Sequence, residues 1–427
     1  MRGQVNIGIL GYGTVGGGAY QVLHEHADAI ASRAGCRLVV AKVADVDWER
    51  PRRLLPPESL RTTDSAAVVS DPDIDVVAEC IGGVSPAREL VLGAIEHGKS
   101  IVTSNKELMA KHGSEILDAA MAHHVDVEFE GSAGGVIPIV RSLKESLEAS
   151  RVEAVIGILN GTTNYILTRM SREQLPFDEA LQQAQERGYA EADPSADIDG
   201  LDAAYKIAIL ASIAFGRRIR IDAVYREGIR SVTPVDILYA REMGYAVKLL
   251  AIAKNGETAE LRVHPTLIPL THPLAAVSDE FNAVLVRGDA CGDVMLYGRG
   301  AGALPTGAAV VGDLISVARN IRTGATGRVV CTCTGEAQVR PVGDVVTKRY
   351  VRMSVKDQPG VMGAIATVFG KAGVSLNSVI QKGSRGLVAE IVWVTHAGPE
   401  RNFATALDRI RNLGVVESVD CVLRVEE

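Results

Sequence analysis

The chain has few aromatic residues and shows no sign of a disulfide framework or a membrane span. Only 4% of its 427 residues are Phe, Trp or Tyr, so aliphatic side chains must build the core. The six cysteines follow no regular spacing, which disfavours a disulfide-stabilised secreted fold. No apolar run reaches the roughly 20 residues of a membrane-spanning helix, and no secretory signal is recognisable. We therefore expect a cytoplasmic protein with reduced thiols and no membrane partner.

The chain also lacks an excess of positive charge. Lys and Arg total 45 against 52 Asp and Glu, for a formal net charge of -7. This balance offers no general attraction to a polyanion, so we expect no nucleic-acid partner. The length exceeds what one hydrophobic core supports and predicts roughly two to four domains.

A glycine-rich turn near the N-terminus indicates a dinucleotide-binding domain. The apolar strand Val5–Leu10 runs into Gly11-Tyr12-Gly13-Thr14-Val15-Gly16, and a helix is predicted from there to about Ser32. In this setting Gly11 makes the tight turn, Gly13 lets a pyrophosphate approach, and Gly16 allows close helix–strand packing. A glycine-rich turn without a ligand is the alternative interpretation.

Strands and helices continue to alternate after this turn. Strands are predicted at Leu38–Ala44, over Asp75–Gly83 with a glycine turn at its end, over Ser100–Lys106 with a polar cluster at its end, and at Val125–Glu130, with helices between them. The alternation predicts a doubly wound parallel sheet, which binds ligands at the carboxyl ends of its strands. Thr103 and Lys106 lie at such an end.

The end of the second strand bears on the choice of cofactor. The Asp45 carboxylate would accept hydrogen bonds from an adenosine ribose, which favours NAD. Arg50, Arg52 and Arg53 follow closely and would hold the additional phosphate of NADP. The residues alone leave both cofactors open.

The most unusual stretch, Gly188–Lys206, places several acids in a predicted loop before an apolar helix. Asp199 is predicted to cap that helix, and Asp202 precedes Lys206 by one turn. A buried lysine is costly unless it is paired, so one interpretation is a structural ion pair. The other is a proton donor held beside carboxylates, with Glu191 and Asp197 binding a cationic substrate group.

Two further segments complete the pattern. Glu130–Pro138 joins one carboxylate to a glycine-rich turn, which suits a hard monovalent cation but, from the residues alone, is better read as a domain hinge. Residues 349–427 alternate as βαββαβ, a unit able to fold by itself. Within it, Asp357-Gln358-Pro359-Gly360-Val361 forms a turn into a helix.

Together these segments resemble the homoserine dehydrogenase family, in its single-function form with a C-terminal ACT domain. Gly188–Lys206 is the most specific segment, supported by Asn160–Asn164, Thr103–Leu108, Glu130–Pro138 and the Asp357–Val361 turn. The resemblance covers the whole chain and implies an α/β fold in three parts. These are a Rossmann domain over 1–135 completed by a helix at about 305–320, an α+β catalytic and dimerisation domain with an open mixed sheet over 136–322, and, after a linker over 323–348, an ACT domain over 349–427.

The resemblance also implies residue roles. Lys206 matches the general acid/base, and Lys106 matches a lysine beside nicotinamide and substrate. Substrate ligands are implied at Glu191 and Asp202, with Asp197 close by. Cofactor contacts beyond the glycine turn are implied at Gly188 and Gly302. A sodium site is implied at Glu130, Ala133, Gly135 and Ile137, mostly through backbone carbonyls. An effector site, expected to bind L-threonine, is implied at Gly360, Val361 and Asn377.

The implied reaction is the reversible, NAD- or NADP-dependent reduction of L-aspartate 4-semialdehyde to L-homoserine by a homodimer or homotetramer. It serves threonine, methionine and isoleucine synthesis. The alternatives are another amino-acid dehydrogenase on the same scaffold and a non-catalytic amino-acid sensor, although a sensor predicts a degraded acid–lysine stretch. An aspartate-semialdehyde dehydrogenase is disfavoured, since it needs an activated cysteine. The ACT unit could also serve dimerisation without a ligand.

Overall fold

The computed structural model describes residues 3–327 and 333–427. The strands in chain order are β1 Gln4–Leu10, β2 Arg37–Ala44, β3 Arg61–Thr62, β4 Val76–Glu79, β5 Ser100–Thr103, β6 Val127–Glu128, β7 Val152–Ile158, β8 Tyr225–Arg226, β9 Tyr245–Lys254, β10 Glu260–Pro269, β11 Phe281–Gly288, β12 Gly292–Arg299, β13 Val346–Lys356, β14 Leu376–Arg385, β15 Val388–Thr395, β16 Gly398–Pro399 and β17 Val416–Val425. The α-helices are α1 Thr14–Glu25, α2 Ala27–Ala34, α3 Ala66–Val69, α4 Ala87–Glu96, α5 Lys106–His123, α6 Ile139–Arg141, α7 Gly161–Glu173, α8 Phe177–Glu186, α9 Ser195–Ile198, α10 Leu201–Phe215, α11 Pro234–Glu242, α12 Ala303–Thr323, α13 Val361–Lys371 and α14 Glu400–Arg411.

The chain divides into two compact units. The first comprises Met1–Val155, Ala204–Ala223 and Phe281–Ala337, and the second comprises Ile156–Ala203, Val224–Glu280 and Gln338–Glu427. Two of the five divisions fall inside β7 and α10. The domain borders expected from the sequence stay a prediction, and part of the expected linker, 328–332 with Cys331, lies outside the described residues.

The first unit contains the expected doubly wound sheet. Its strand order is β3-β2-β1-β4-β5-β6, and every neighbouring pair is parallel. The chain reverses the strand order on either side of β1, so a crevice is expected at its carboxyl end. The helical stretch predicted from the glycine turn to about Ser32 is broken at His26 into α1 and α2.

Helix α12 packs against α1 in this unit. A Cβ at Gly18 would lie 2.0 Å from the Ala303 carbonyl oxygen, and one at Gly307 would lie 2.6 Å from the Ala19 nitrogen. Only glycine permits backbones to approach this closely. The buried side chains of α12, among them Val310 and Leu314, join the core built on β1.

The second unit contains a sheet in which β9-β10-β17-β13-β15-β14 are neighbours in that order. Its last four strands with α13 and α14 form the predicted βαββαβ unit, which is confirmed. That unit has a core of its own, where the Phe369 and Trp393 rings lie 5.7 Å apart. Strand β17 also pairs with β10 in parallel, so the βαββαβ unit shares a sheet with the preceding strands.

Three local predictions were wrong. Strand β12 was missed because its residues alternate only between exposed and half-buried and form no apolar run. The stretch read as a loop contains the short helix α9, and Asp199 follows its end instead of capping α10. The Asp199 carboxylate pairs with Arg230 at 2.6 Å.

Within the described part of the chain, no helix combines the length and apolar character needed to cross a membrane.

Candidate functional site

The glycine turn between β1 and α1 has the shape that a dinucleotide phosphate requires. Gly11 has a φ of +87°, and a Cβ there would lie 2.7 Å from the Cys80 carbonyl oxygen. A Cβ at Gly13 would meet nothing within 4 Å, so space remains in front of this residue. Gly13 is the N-cap of α1 without any side-chain hydrogen bond, and the first turn carries no acid. The N–H groups of this turn are thus suited to an anion.

Asp45 fixes this turn from the end of β2. One carboxylate oxygen accepts from the Tyr12 backbone N–H at 2.6 Å, and the other lies 3.2 Å from the Arg52 guanidinium. Arg52 also donates to the Tyr12 carbonyl and lies over the rings of Tyr12 and Trp48. Arg50 and Arg53 are exposed. The structure therefore uses Arg52 to hold the turn and leaves the other two arginines facing solvent.

A buried acid that the sequence did not single out organises the next two strand ends. Glu79 at the end of β4 is fully buried. It accepts from the Thr103 hydroxyl at 2.5 Å, from the backbone N–H groups of Ile81 and Gly82, and from Asn105. Burial raises the pKa of Glu79, although these hydrogen bonds oppose the shift.

The same network places Lys106. Asn105 caps α5 by accepting from the Leu108 N–H at 3.0 Å, and its amide donates to the Gly83 carbonyl at 2.6 Å. Lys106 is the first residue of that helix and is half-buried. Its backbone position is therefore fixed by hydrogen bonds that join the ends of β4 and β5.

Lys206 lies within α10, where the sequence predicted a buried lysine. It is 6% exposed, between apolar neighbours that are themselves buried. The preceding Tyr205 has its hydroxyl 3.5 Å from Glu107, and Lys111 lies over the Tyr205 ring. Asp202 is one turn earlier on the same helix. Its pairing with Lys206 stays a prediction.

Two of the predicted substrate ligands are brought together in the second unit. The side-chain amide nitrogen of Asn160 donates to Asp197 at 2.7 Å and to Asp202 at 2.9 Å. The Thr162 hydroxyl contacts the other Asp197 oxygen at 3.1 Å and the Tyr189 carbonyl at 2.7 Å. Asn160, Thr162 and Asp202 are buried. Carboxylates separated by five residues along the chain thus share one donor.

The remaining predicted ligands have less defined surroundings. Glu191 is exposed, and its backbone carbonyl accepts from Gln185. Gly188 has a φ of +73° with open space where a Cβ would stand. Gly302 has a φ of +123° and precedes α12 without a side-chain cap. Both glycine positions leave backbone accessible to a ligand.

The predicted cation segment is tightly folded. The Glu130 carboxylate accepts from the backbone N–H groups of Val140 and Arg141 at 2.7 and 2.9 Å, and burial raises its pKa. A Cβ at Gly135 would lie 2.6 Å from Gly300, while Ala133 and Ile137 are buried. Across 3–327 and 333–427, no group of three or more His, Cys, Asp or Glu side chains is arranged to hold a metal. A cation here would take most of its ligands from backbone carbonyls, beside Glu130.

The predicted effector turn has the features of an anion-accepting helix start. Gly360 has a φ of +90° and precedes α13 without a side-chain cap. Val361 is buried, whereas Asn377 on β14 is exposed. The turn thus presents backbone N–H groups.

Sequence reasoning missed Glu79 and Asn105 as site residues and gave Asn160 no role of its own. Glu79 carried one signal, since an acid ended an otherwise apolar strand. Asn160 precedes a helix, and that position is typical of a simple cap. Neither pattern reveals the partners, which stand 24 to 42 residues further along the chain.

Comparison with known proteins shows which family the chain resembles. The family model for the homoserine dehydrogenase NAD-binding domain matches residues 11–130, that for homoserine dehydrogenase matches 138–315, and that for the ACT domain matches 349–415. A homoserine dehydrogenase from Synechocystis sp. is 49% identical, with 99% of both chains covered. The crystal structure of one from Thiobacillus denitrificans is 42% identical with a TM-score of 0.94, covering 99% of this chain and 98% of that one. A hyperthermophilic archaeal homoserine dehydrogenase in complex with NADPH is 27% identical with a TM-score of 0.63, covering 74% of this chain and 97% of that one.

The fold, the glycine turn and these matches define an NAD(P)-dependent oxidoreductase that acts on a CH–OH group. Identity of this level over nearly the whole length is specific to one family. The chain belongs to the homoserine dehydrogenase family.

Proposed function

We propose that this enzyme interconverts L-aspartate 4-semialdehyde and L-homoserine, with Lys206 as the group that gives and takes the proton. The observation that carries the assignment of Lys206 is its burial on α10, one turn after Asp202. A lysine kept in such surroundings costs free energy. A role in proton transfer would account for a lysine that stays buried at this cost in stability.

The glycine turn Gly11–Gly16 is proposed to hold the dinucleotide pyrophosphate, and Gly188, Gly302 and Thr103 to border the nicotinamide end. Open space at Gly13 and the uncapped start of α1 fit a phosphate. When bound, the nicotinamide would supply or accept the hydride at C4 of the substrate.

The chain's own residues would bind and protonate the substrate. Lys206 would give a proton to the aldehyde oxygen in the direction of homoserine and take it back in the reverse direction. Lys106, held at the start of α5, would polarise the same oxygen. Glu191 would bind the substrate ammonium group, and Asp197 and Asp202 would orient the substrate. Orientation of this kind contributes a large part of such a rate.

The cofactor preference is proposed to depend on Arg50 and Arg53. Both are exposed close after β2, whereas Arg52 is committed to Asp45 and the Tyr12 carbonyl. The archaeal relative in complex with NADPH is in keeping with a phosphate at this end of the site. We therefore propose that both NAD and NADP serve as cofactors.

Sodium and L-threonine are proposed as further ligands. Sodium would be held by Glu130 with the carbonyls of Ala133, Gly135 and Ile137, where the tight fold at Gly135 supports a rigid site.

L-Threonine would bind the ACT turn at Gly360, Val361 and Asn377 and lower activity. Calorimetry with threonine, methionine and isoleucine checks the second proposal, and no heat with any of them would leave the turn without an effector. The homo-oligomer and the cytoplasmic location stay predictions.

Oxidation of homoserine followed at 340 nm, with NAD and NADP in parallel, tests the reaction and the cofactor together. Lys206→Ala should lower kcat by roughly 10²- to 10⁴-fold, as expected for a lost general acid. Lys99→Ala is the matched control, since Lys99 is also buried, at 3% exposure, but stands at the amino end of β5. Near-normal turnover in folded Lys206→Ala would refute the proposed role.

A further inference from the structure

Asn160 has two functions in one side chain. Its carbonyl oxygen accepts from the Thr163 N–H at 2.8 Å and so caps α7. Its amide nitrogen faces the opposite way and donates to Asp197 at 2.7 Å and Asp202 at 2.9 Å. Asn160 is 5% exposed, so water cannot readily replace either bond.

The hydrogen bonds from the Asn160 amide bear on the repulsion between Asp197 and Asp202. Two carboxylate oxygens bound to one nitrogen can be no farther apart than the two bond lengths combined. Like charges at that separation, in surroundings from which water is largely excluded, repel one another. A shared N–H₂ donor offsets the repulsion and fixes the direction of both carboxylates, because bonds to charged groups are stronger than neutral ones.

A neighbouring hydroxyl strengthens the arrangement. The single hydroxyl proton of Thr162 is shared between the Tyr189 carbonyl at 2.7 Å and the second Asp197 oxygen at 3.1 Å. The first turn of α7 therefore holds the acid-rich segment Gly188–Asp202 at several points. Asp197 lies on α9 and Asp202 on α10, and both accept a hydrogen bond from the residue that caps α7.

We propose that Asn160 is a positioning residue for the reaction: its amide holds Asp197 and Asp202 side by side so that both face the substrate. This inference rests on the proposed substrate roles of those two acids. A bare helix cap is the competing explanation, and the two make different predictions.

Substitutions can separate the cap from the donor. Serine and aspartate are as good at an N-cap as asparagine, but neither can donate to both carboxylates as the amide does. Asn160→Ser should therefore keep α7 capped while raising KM for homoserine, with kcat/KM for homoserine lower by at least about 10-fold, the equivalent of one charge-assisted hydrogen bond. KM for the cofactor should stay within about twofold. Asn160→Asp adds a third carboxylate and should be more severe.

Asn160→Ala provides the comparison, because it loses both the cap and the donor. If the amide acts only as a cap, Asn160→Ser will resemble the wild type and Asn160→Ala alone will be impaired. If the amide positions the acids, the two variants will share the homoserine defect and differ only in thermal stability. Thr162→Val, which removes a hydroxyl that contacts both Asp197 and the Tyr189 carbonyl, should show a smaller defect of the same kind.

Asp197→Asn and Asp202→Asn, assayed in parallel, distinguish failure of this inference from failure of the proposed function. Wild-type kinetics in both would overturn the substrate roles themselves. A clear loss in Asp202→Asn together with normal homoserine kinetics in Asn160→Ser would overturn the positioning role alone. Should Asn160→Ser fail to fold, Asn160→Asp decides, since it keeps the cap and unchanged homoserine kinetics there would contradict the arrangement.

Discussion

The buried ion pair between Asp236 and Arg352 gives a sharp prediction about how the C-terminal βαββαβ unit is held within the second unit. Asp236 on α11 is fully buried. It accepts from two nitrogens of Arg352 on β13, at 2.7 and 3.2 Å, and from the Tyr350 hydroxyl at 3.1 Å. Arg352 also pairs with Glu390 at 2.9 Å.

Removing Arg352 leaves the buried Asp236 charge without its match, which costs about 3–5 kcal/mol. Removing Asp236 costs less through the pair itself, because Arg352 keeps its contact with Glu390. Asp236→Ala also removes the capping box that Asp236 forms with Thr233 at the start of α11, which adds about 1 kcal/mol. Arg352→Met should cost about 3–5 kcal/mol, because Asp236 then keeps only neutral donors. The double variant should be no less stable than the worse single variant, since neither charge remains unmatched.

The costs of the single and double variants can be measured as changes in the free energy of unfolding in urea, with tryptophan fluorescence reporting on the second unit. The chain has two tryptophans, and Trp393 lies in the core of the βαββαβ unit. A Trp48→Phe background leaves Trp393 as the single reporter. Costs that add within about 0.5 kcal/mol would mean that the two residues are energetically independent, and the reasoning from the buried pair would be wrong.

Two further predictions follow from buried groups. Lys248 is 6% exposed and donates to the Val277 carbonyl, and burial, with Arg172 nearby, lowers its pKa to about 8. The unfolded chain therefore binds the proton more tightly, so burial of Lys248 lowers the free energy of unfolding fully below pH 8, and this loss is relieved as pH rises toward about 10.5. In that window the wild type should gain up to about 3 kcal/mol of stability over Lys248→Met. Urea midpoints of the two proteins that stay parallel between pH 7.5 and 10 would contradict this. Replacing sodium by choline at constant ionic strength should lower turnover in the wild type and have little effect in Glu130→Gln, and equal turnover of the wild type in both salts would remove the cation proposal.

Regular local patterns made much of the fold predictable. The order of the six elements of the βαββαβ unit was expected, since alternating and helical spacing repeat clearly there. The glycine turn was also predictable, because glycines placed directly between an apolar strand and a helix are typical of a tight phosphate-binding turn. Strand β12 lacked such a pattern, and α9 is too short to show one.

The sequence by itself determined the chemistry available to this protein: a phosphate-binding turn, one lysine in an apolar helix, and acids placed just before it. These features are local, so spacing reveals them. Only the tertiary structure decided which groups work together. Glu79 meets Thr103 across 24 residues, Asn160 meets Asp202 across 42, and Asp236 meets Arg352 across 116. Hydrogen bonds between such distant residues depend on how the elements pack, and packing leaves no periodic trace in the chain.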